Sequence, residues 1–152
     1  MFKEIKNESE MKVFGETIGT FLKSGDFIEL VGDVGSGKTT LTKGIAIGMG
    51  VDDNVQSPSF TINRVYQGHD NLTLSHYDFY RLNDAGIMVN DLQESAADPN
   101  TITIIEWAGV VDQVLPSDRL TIRITSPSEN VRELSFSAGG ENSNELLEKV
   151  RS

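Results

Sequence analysis

Between Asn7 and Lys23 the apolar residues Met11, Phe14, Ile18, Phe21 and Leu22 return at three- and four-residue spacing, which is the repeat of one helix face. Asn7 and Glu10 form a capping pair at the start of this predicted helix, and Gly25 lies past its end. The period then changes. Phe27-Ile28-Glu29-Leu30-Val31 is a short β-favouring run bounded by Asp26 and Gly32, and it predicts a strand buried on both faces. Helical residues resume from Lys38 to about Met49, after a glycine-rich turn. Two β-like stretches, Ser59 to Tyr66 and Leu72 to Tyr77, flank the turn-rich Gly68-His69-Asp70-Asn71 and predict a hairpin.

Residues Asp84 to Ala97 mix helix formers with polar residues, and Pro99-Asn100 ends them. Thr101-Ile102-Thr103-Ile104-Ile105 is strongly β-branched and runs straight into Glu106-Trp107, the pattern of a buried strand that ends in a charge. Arg119 to Thr125 and Val131 to Ser137 alternate apolar and polar residues across Pro127, as an antiparallel pair with one wet face would. Asn142 to Ser152 reads as a short peripheral helix, and no repeat of fixed period interrupts the sequence.

Composition narrows the chemistry. A length of 152 residues suits a single domain spanning 1–152. Thirteen Lys plus Arg against 23 Asp plus Glu give a net charge of −10, which argues against a broad basic surface for nucleic-acid backbone. With no cysteine and two histidines, disulfides, thiol nucleophiles and ordinary zinc sites are excluded. The charged amino terminus, and the lack of any uncharged apolar run near the ~20 residues of a membrane span, predict a soluble, cytoplasmic protein.

One motif carries chemistry. Gly32-Asp33-Val34-Gly35-Ser36-Gly37-Lys38-Thr39 matches Gly, four residues, Gly-Lys and Ser or Thr, and it lies between a predicted strand and a predicted helix. A phosphate chain is matched by inward-pointing backbone N–H groups, and Gly32, Gly35 and Gly37 let the backbone curl around it without Cβ clashes. The helix start adds free N–H groups and its positive dipole end. Lys38 is then placed for the β- and γ-phosphates, Thr39 for the bridging Mg²⁺ and Thr40 for the α-phosphate. At a net charge of −10 this local field works against a repulsive background, which makes Mg²⁺ all the more necessary.

Such a loop needs an acid at the end of a neighbouring strand to hold the metal or its waters. Glu106 is best placed, and Asp78 in His76-Tyr77-Asp78-Phe79-Tyr80-Arg81-Leu82 competes with it; which of them touches metal and which orients water stays open. His76 and Asp78 share a face of a continuing strand, so they could form a coupled pair, and a plain core or surface histidine is an equal alternative. Gln56-Ser57-Pro58-Ser59-Phe60-Thr61 is a rigid polar turn that either closes over the γ-phosphate or simply connects two elements. Trp107, the only tryptophan, could cover the site or serve packing.

The order of GDVGSGKTT, SPSFT, HYDFYRL and IIEW, from about Ser9 to Glu133, resembles the bacterial TsaE family, the ATPase of tRNA threonylcarbamoyladenosine biosynthesis. The resemblance implies a P-loop NTPase-like α/β fold of three layers with a mixed parallel and antiparallel central sheet. It also implies ATP and Mg²⁺ as cofactors and the TsaD and TsaB proteins as partners. The tRNA, modified at the adenosine 3′ to anticodons that read codons starting with A, would be met only indirectly, and hydrolysis would reset the complex between cycles. Carried over, it assigns nucleotide contacts to Gly35, Ser36, Gly37, Lys38, Thr39, Thr40, Ser9, Trp107 and Arg132, metal to Thr39 and Glu106, and catalysis to Lys38, Asp78 and Glu106. Ser59 stands where the family more often has threonine, and Ala108-Gly109-Val110 lacks the acidic or proline residues often found there.

Three rival classes share the loop. A small-molecule kinase usually carries an arginine-rich lid, whereas the six arginines here are scattered, and a GTPase switch would carry Asn-Lys-x-Asp, which is absent. A nucleotide-binding interaction module with negligible turnover is separated from an ATPase only by assay.

Overall fold

The computed structural model describes residues 1–52, 55, 62–80, 86 and 88–151. The predicted turn at 56–61, the first residues predicted for the hairpin, Arg81 and Leu82, and the predicted helix start at 84 lie outside the described residues. The chain begins with a strand that the hydrophobic pattern did not announce, β1 (Phe2–Ile5), of which only Ile5 is buried. Helix α1 (Glu8–Phe21) follows, and the capping pair works as predicted. The Asn7 side chain accepts the Glu10 N–H at 2.8 Å, while the Glu10 carboxylate accepts the Lys6 N–H at 2.5 Å. Strand β2 (Phe27–Val31), helix α2 (Lys38–Gly48), strands β3 (Asn63–Gln67) and β4 (Thr73–Asp78), helix α3 (Met88–Ala97) and strand β5 (Thr101–Glu106) come next. A 3₁₀ helix (Ala108–Val114), the antiparallel strands β6 (Leu120–Thr125) and β7 (Arg132–Ala138), and helix α4 (Glu141–Arg151) complete the order.

Seven strands form one mixed sheet in the order β1-β7-β6-β2-β5-β4-β3. Strands β6, β2, β5 and β4 are parallel, and β1, β7 and β3 join antiparallel at the two ends. β1 exists because β7 supplies its backbone partners, from Phe2↔Ser135 to Ile5↔Arg132, so an isolated pattern search has little to detect. Alternation sends neighbouring β2 side chains to opposite faces. Ile28 and Leu30 enter the larger core with Met11 and Ile18 of α1, Leu41 and Ile45 of α2, and Leu146, Leu147 and Val150 of α4. Phe27 enters a smaller core with Tyr77, Phe79, Leu92, Ile105 and Val111, under α3 and the 3₁₀ helix. The result is the three-layer α/β arrangement expected from the resemblance. The tail helix is not peripheral, because three apolar side chains of α4 are buried and Asp118 accepts the Asn142 and Ser143 N–H groups at its start.

β2 is not wholly apolar within. Glu29, on the smaller-core face, accepts from Arg119 Nε at 2.9 Å and from the Thr121 hydroxyl, and Arg119 also binds Asp112 and the Pro116 carbonyl. The buried carboxylate thus joins the central strand to the chain that leads out of the 3₁₀ helix.

Helices α1 and α2 meet backbone to backbone. A Cβ on Gly44 would stand 2.1 Å from the Lys12 carbonyl oxygen, and one on Gly48 2.2 Å from that of Glu16. Gly19 reciprocates at 2.2 Å from the Ile45 oxygen. Neither helix can carry a side chain at these positions without moving apart. Gly44→Ala is expected to destabilise the fold by about 3 kcal/mol, the upper range for overpacking, measured as a lowered urea midpoint; an unchanged midpoint contradicts this packing.

Burial, reinforced by the hydrogen bond to Asp91 at 2.9 Å, raises the Tyr77 phenol from 10.0 to about 12. The folded value exceeds the unfolded one, so this contribution is complete below pH 10 and is lost as pH climbs from 10 to 12. Two units correspond to about 2–3 kcal/mol. Wild type is expected to lose that much more stability than Tyr77→Phe across the interval, as read by urea unfolding at fixed pH values.

Candidate functional site

The parallel register fixes where the chemistry converges. Leu30 of β2 pairs with Glu106 of β5, and Glu106 pairs with Asp78 of β4, so all three strands end at one level. The glycine loop leaves β2 one residue beyond that level, and both acids stand at the same sheet edge. Parallel α/β sheets place ligand clefts at this edge. Gly35 and Gly37 adopt φ of +82° and +108°, left-handed conformations that turn successive N–H groups to one side. Gly32 is small for a different reason, since its Cβ would meet the buried Ser36 hydroxyl at 2.6 Å. Helix α2 begins at Lys38 with no side-chain cap, which leaves its first N–H groups available to an anion.

Lys38 turns back along the loop: Nζ donates to the carbonyls of Gly32 at 2.6 Å and Asp33 at 2.9 Å and lies 4.6 Å from the Trp107 ring centroid. Burial lowers the pKa of this ammonium, and the nearby carboxylates of Glu106, Asp78 and Asp33 oppose that shift. Trp107 itself sits at φ 57° and ψ 49°, a left-handed conformation rare for a bulky side chain, which costs on the order of 1–3 kcal/mol. Its ring meets Tyr80 with centroids 4.9 Å apart. Together they form an aromatic wall over the lysine.

Asp78 is 4% exposed and accepts the Tyr80 N–H at 2.9 Å. Glu106 is 2% exposed, and its Oε2 lies 2.5 Å from His76 Nε2. The suggested His76–Asp78 coupling is therefore corrected: the histidine serves the acid on the next strand. His76 pairs in register with Ile104, two residues before Glu106 on the same face, which brings imidazole and carboxylate together. His76 Nδ1 is buried with no hydrogen-bond partner among the described residues, so the Nε2–H, facing a carboxylate, carries the proton.

These groups line a cleft of about 660 Å³. Its walls include Gly35, Ser36, Gly37, Lys38, Thr39, Thr40, Asp78, Glu106, Trp107 and Arg132, so ten of the residues singled out from the sequence come together. Ser9 does not join them; it is exposed on the first turn of α1, and its neighbours Asn7 and Glu8 line the cleft instead. Arg132 faces the cleft but directs its guanidinium to the backbone of the loop, with Nε 3.1 Å from the Ser36 carbonyl oxygen. Sequence reasoning missed Met11, Val34, Tyr80, Glu129 and Asn130 as wall residues. Tyr80 was within reach through the HYDFYRL string, whereas Glu129-Asn130 belongs to no recognisable pattern. Among the described residues no cluster of three metal-ligating side chains occurs, and no helix is long and apolar enough to cross a membrane.

A strand, a glycine loop that opens a helix, and acids on two adjoining parallel strands define a P-loop NTPase-like α/β protein. Comparison with known proteins resolves the class further. The family model described as "Threonylcarbamoyl adenosine biosynthesis protein TsaE" matches residues 5–134. A Bacillus subtilis protein named tRNA threonylcarbamoyladenosine biosynthesis protein TsaE is 37% identical over 145 residues, 95% of this chain and 89% of its own length. The Streptomyces coelicolor protein of that name is 34% identical over 86% of this chain and 92% of its own. The crystal structure of Bacillus subtilis YdiB superposes with a TM-score of 0.85 at 34% identity, covering 99% of this chain and 93% of that one. The chain belongs to the TsaE family, and with it to proteins of tRNA threonylcarbamoyladenosine biosynthesis.

Removing His76 leaves a buried carboxylate without its donor. His76→Phe is expected to destabilise the protein by about 3 kcal/mol, the lower end for breaking one side of a buried pair. Urea denaturation of wild type and variant checks this, and equal midpoints refute the pairing.

Proposed function

We propose that this chain is a Mg²⁺-dependent ATPase that supports threonylcarbamoylation of tRNA in concert with the TsaD and TsaB proteins. The observation that carries the reading is the shared level of the glycine loop, Asp78 and Glu106, set by the β2–β5–β4 register. The phosphates of ATP would lie along the N–H groups of Gly35 to Thr40. Lys38 would exchange the Gly32 and Asp33 carbonyls for phosphate oxygens, which suits an ammonium already held at that loop.

The donor set fits Mg²⁺: the Thr39 hydroxyl and Glu106 carboxylate are hard oxygen ligands at the mouth of the loop. When bound, the ion supplies charge neutralisation to the transferring phosphoryl group. His76 holds the Glu106 carboxylate in position, and Asp78, beside it in register, would orient the attacking water. Trp107 and Tyr80 exclude solvent from Lys38, which strengthens its pull on phosphate.

A partner-gated role is supported by the cleft mouth, where Val34 and Tyr80 are 71% and 53% exposed, apolar surface that a second protein would cover. The net charge of −10 supports contact with tRNA through such a partner rather than directly. ATP hydrolysis by the chain, assayed with and without the TsaB–TsaD pair, is expected to be weak alone and stimulated by the pair. Lys38→Ala and Glu106→Ala are each expected to lower the stimulated rate at least ~100-fold, the scale of losing one electrostatic contact in the transition state. Unchanged hydrolysis in either variant refutes the site, and stimulation by a small molecule alone would favour a kinase.

A further inference from the structure

Arg132 opens β7, far in sequence from the glycine loop, and every hydrogen bond described for its guanidinium ends on a backbone carbonyl. Nε donates to Ser36 O at 3.1 Å and Nη2 to Gly35 O at 3.3 Å. Nη1 donates to the Ser128, Glu129 and Val131 carbonyls at 3.2, 3.0 and 3.0 Å. Among the described residues no carboxylate stands within ion-pair distance of it. One planar, permanently charged fork therefore ties two separate walls of the cleft: the phosphate loop, and the 128–131 segment whose Glu129 and Asn130 face the same space.

The consequence for the loop follows from peptide geometry. Among the described residues there is no cis peptide bond, so in each of these peptide units the N–H points opposite to the C=O. A guanidinium that fixes the Gly35 and Ser36 carbonyls on its own side fixes the N–H groups of Ser36 and Gly37 on the other. The Ser36 N–H is spent on the Asp33 carbonyl at 3.1 Å, which closes the turn, and the Gly37 N–H is the next one along. Gly35 and Gly37, both at positive φ, have no side chains to stiffen this backbone; the Ser36 N–H and Lys38 hold the Gly32 and Asp33 end of the loop, and the Gly35 and Ser36 carbonyls are held by Arg132.

We infer that Arg132 is a positioning residue: it sets the phosphate loop in its anion-binding shape by clamping the Gly35 and Ser36 carbonyls to the 128–131 segment, and it acts on nucleotide through that backbone rather than by touching it. This rests on the reading of the cleft as an ATP site and differs from the direct nucleotide contact that the family resemblance implies for the same residue.

Two measurements on the full chain test the clamp. The first needs no ligand: amide hydrogen exchange in wild type, Arg132→Gln and Arg132→Lys. Both variants are expected to exchange at least about tenfold faster across 33–40 and 128–131, an opening change of one tenfold step in equilibrium, with peptides from β2 and β5 unchanged. Equal exchange across 33–40 in both variants overturns the inference whether or not the chain binds ATP. Faster exchange throughout the sheet also overturns it, by showing that Arg132 serves global stability.

The second measurement is calorimetric titration with MgATP and with inorganic tripolyphosphate, which has neither base nor ribose. A clamp predicts that Arg132→Gln loses the same factor, about tenfold or more, for both probes, and that Arg132→Lys recovers only part of it, because an ammonium cannot span two walls. Loss for MgATP with tripolyphosphate unaffected means direct contact with the nucleoside and overturns the inference, as does full recovery in Arg132→Lys. A wild type that binds neither probe refutes the ATP reading, and the exchange experiment then decides the clamp by itself.

Discussion

Parallel pairing of β2 with β5 and of β5 with β4 is the constraint on which the site depends. Because Leu30, Glu106 and Asp78 share one register level, the strand that feeds the glycine loop and the two strands that carry acids end together. A slip of one residue in either ladder would send Glu106 or Asp78 to the opposite face and into the smaller core among Tyr77, Phe79 and Ile105. That core holds the register, since Phe27, Tyr77 and Ile105 fit it only in the present alignment. The Glu29–Arg119 contact adds a polar check on the same strand, because Glu29 finds its donors only when β2 and β6 align as Glu29↔Thr121.

Onto this frame the site adds groups that each oppose burial. Lys38, Asp78 and Glu106 are all nearly inaccessible to solvent, and each is held by a named neighbour: loop carbonyls for the lysine, the Tyr80 N–H for the aspartate and His76 for the glutamate. Leaving any of them unpaired would cost several kcal/mol, so each has a partner before a ligand arrives. The left-handed Trp107 is the strained member of the set, and its ring position over Lys38 gives that strain a role. The close glycine contacts between α1 and α2 bring the start of α1 to the loop, so that Met11 touches the place where a Gly37 side chain would stand.

The sequence disclosed the parts of this arrangement that are local. The glycine loop, its flanking strand and helix, the α1 cap and the acid at the end of β5 are all written within a dozen residues of themselves, where period and spacing can be read. What it concealed is long-range. β1 depends on a strand from the far end of the chain. The His76–Glu106 contact depends on register, which pairs positions on different strands and leaves no mark in either stretch alone. The Glu129-Asn130 wall sits in the turn between β6 and β7, next to Arg132 at the start of β7, and nothing in that turn says it faces the loop. The tail helix reads as peripheral for the same reason: its apolar positions are few, and the surface that buries them belongs to other elements.

The most direct measurement of the central claim is a crystal structure of the chain with Mg²⁺ and a non-hydrolysable ATP analogue. The account predicts phosphates along Gly35 to Thr40, the metal between the Thr39 hydroxyl and Glu106 with Asp78 beside the γ-phosphate, and Lys38 released from the Gly32 and Asp33 carbonyls. An analogue bound away from this cleft, or a metal held without Glu106, would contradict it.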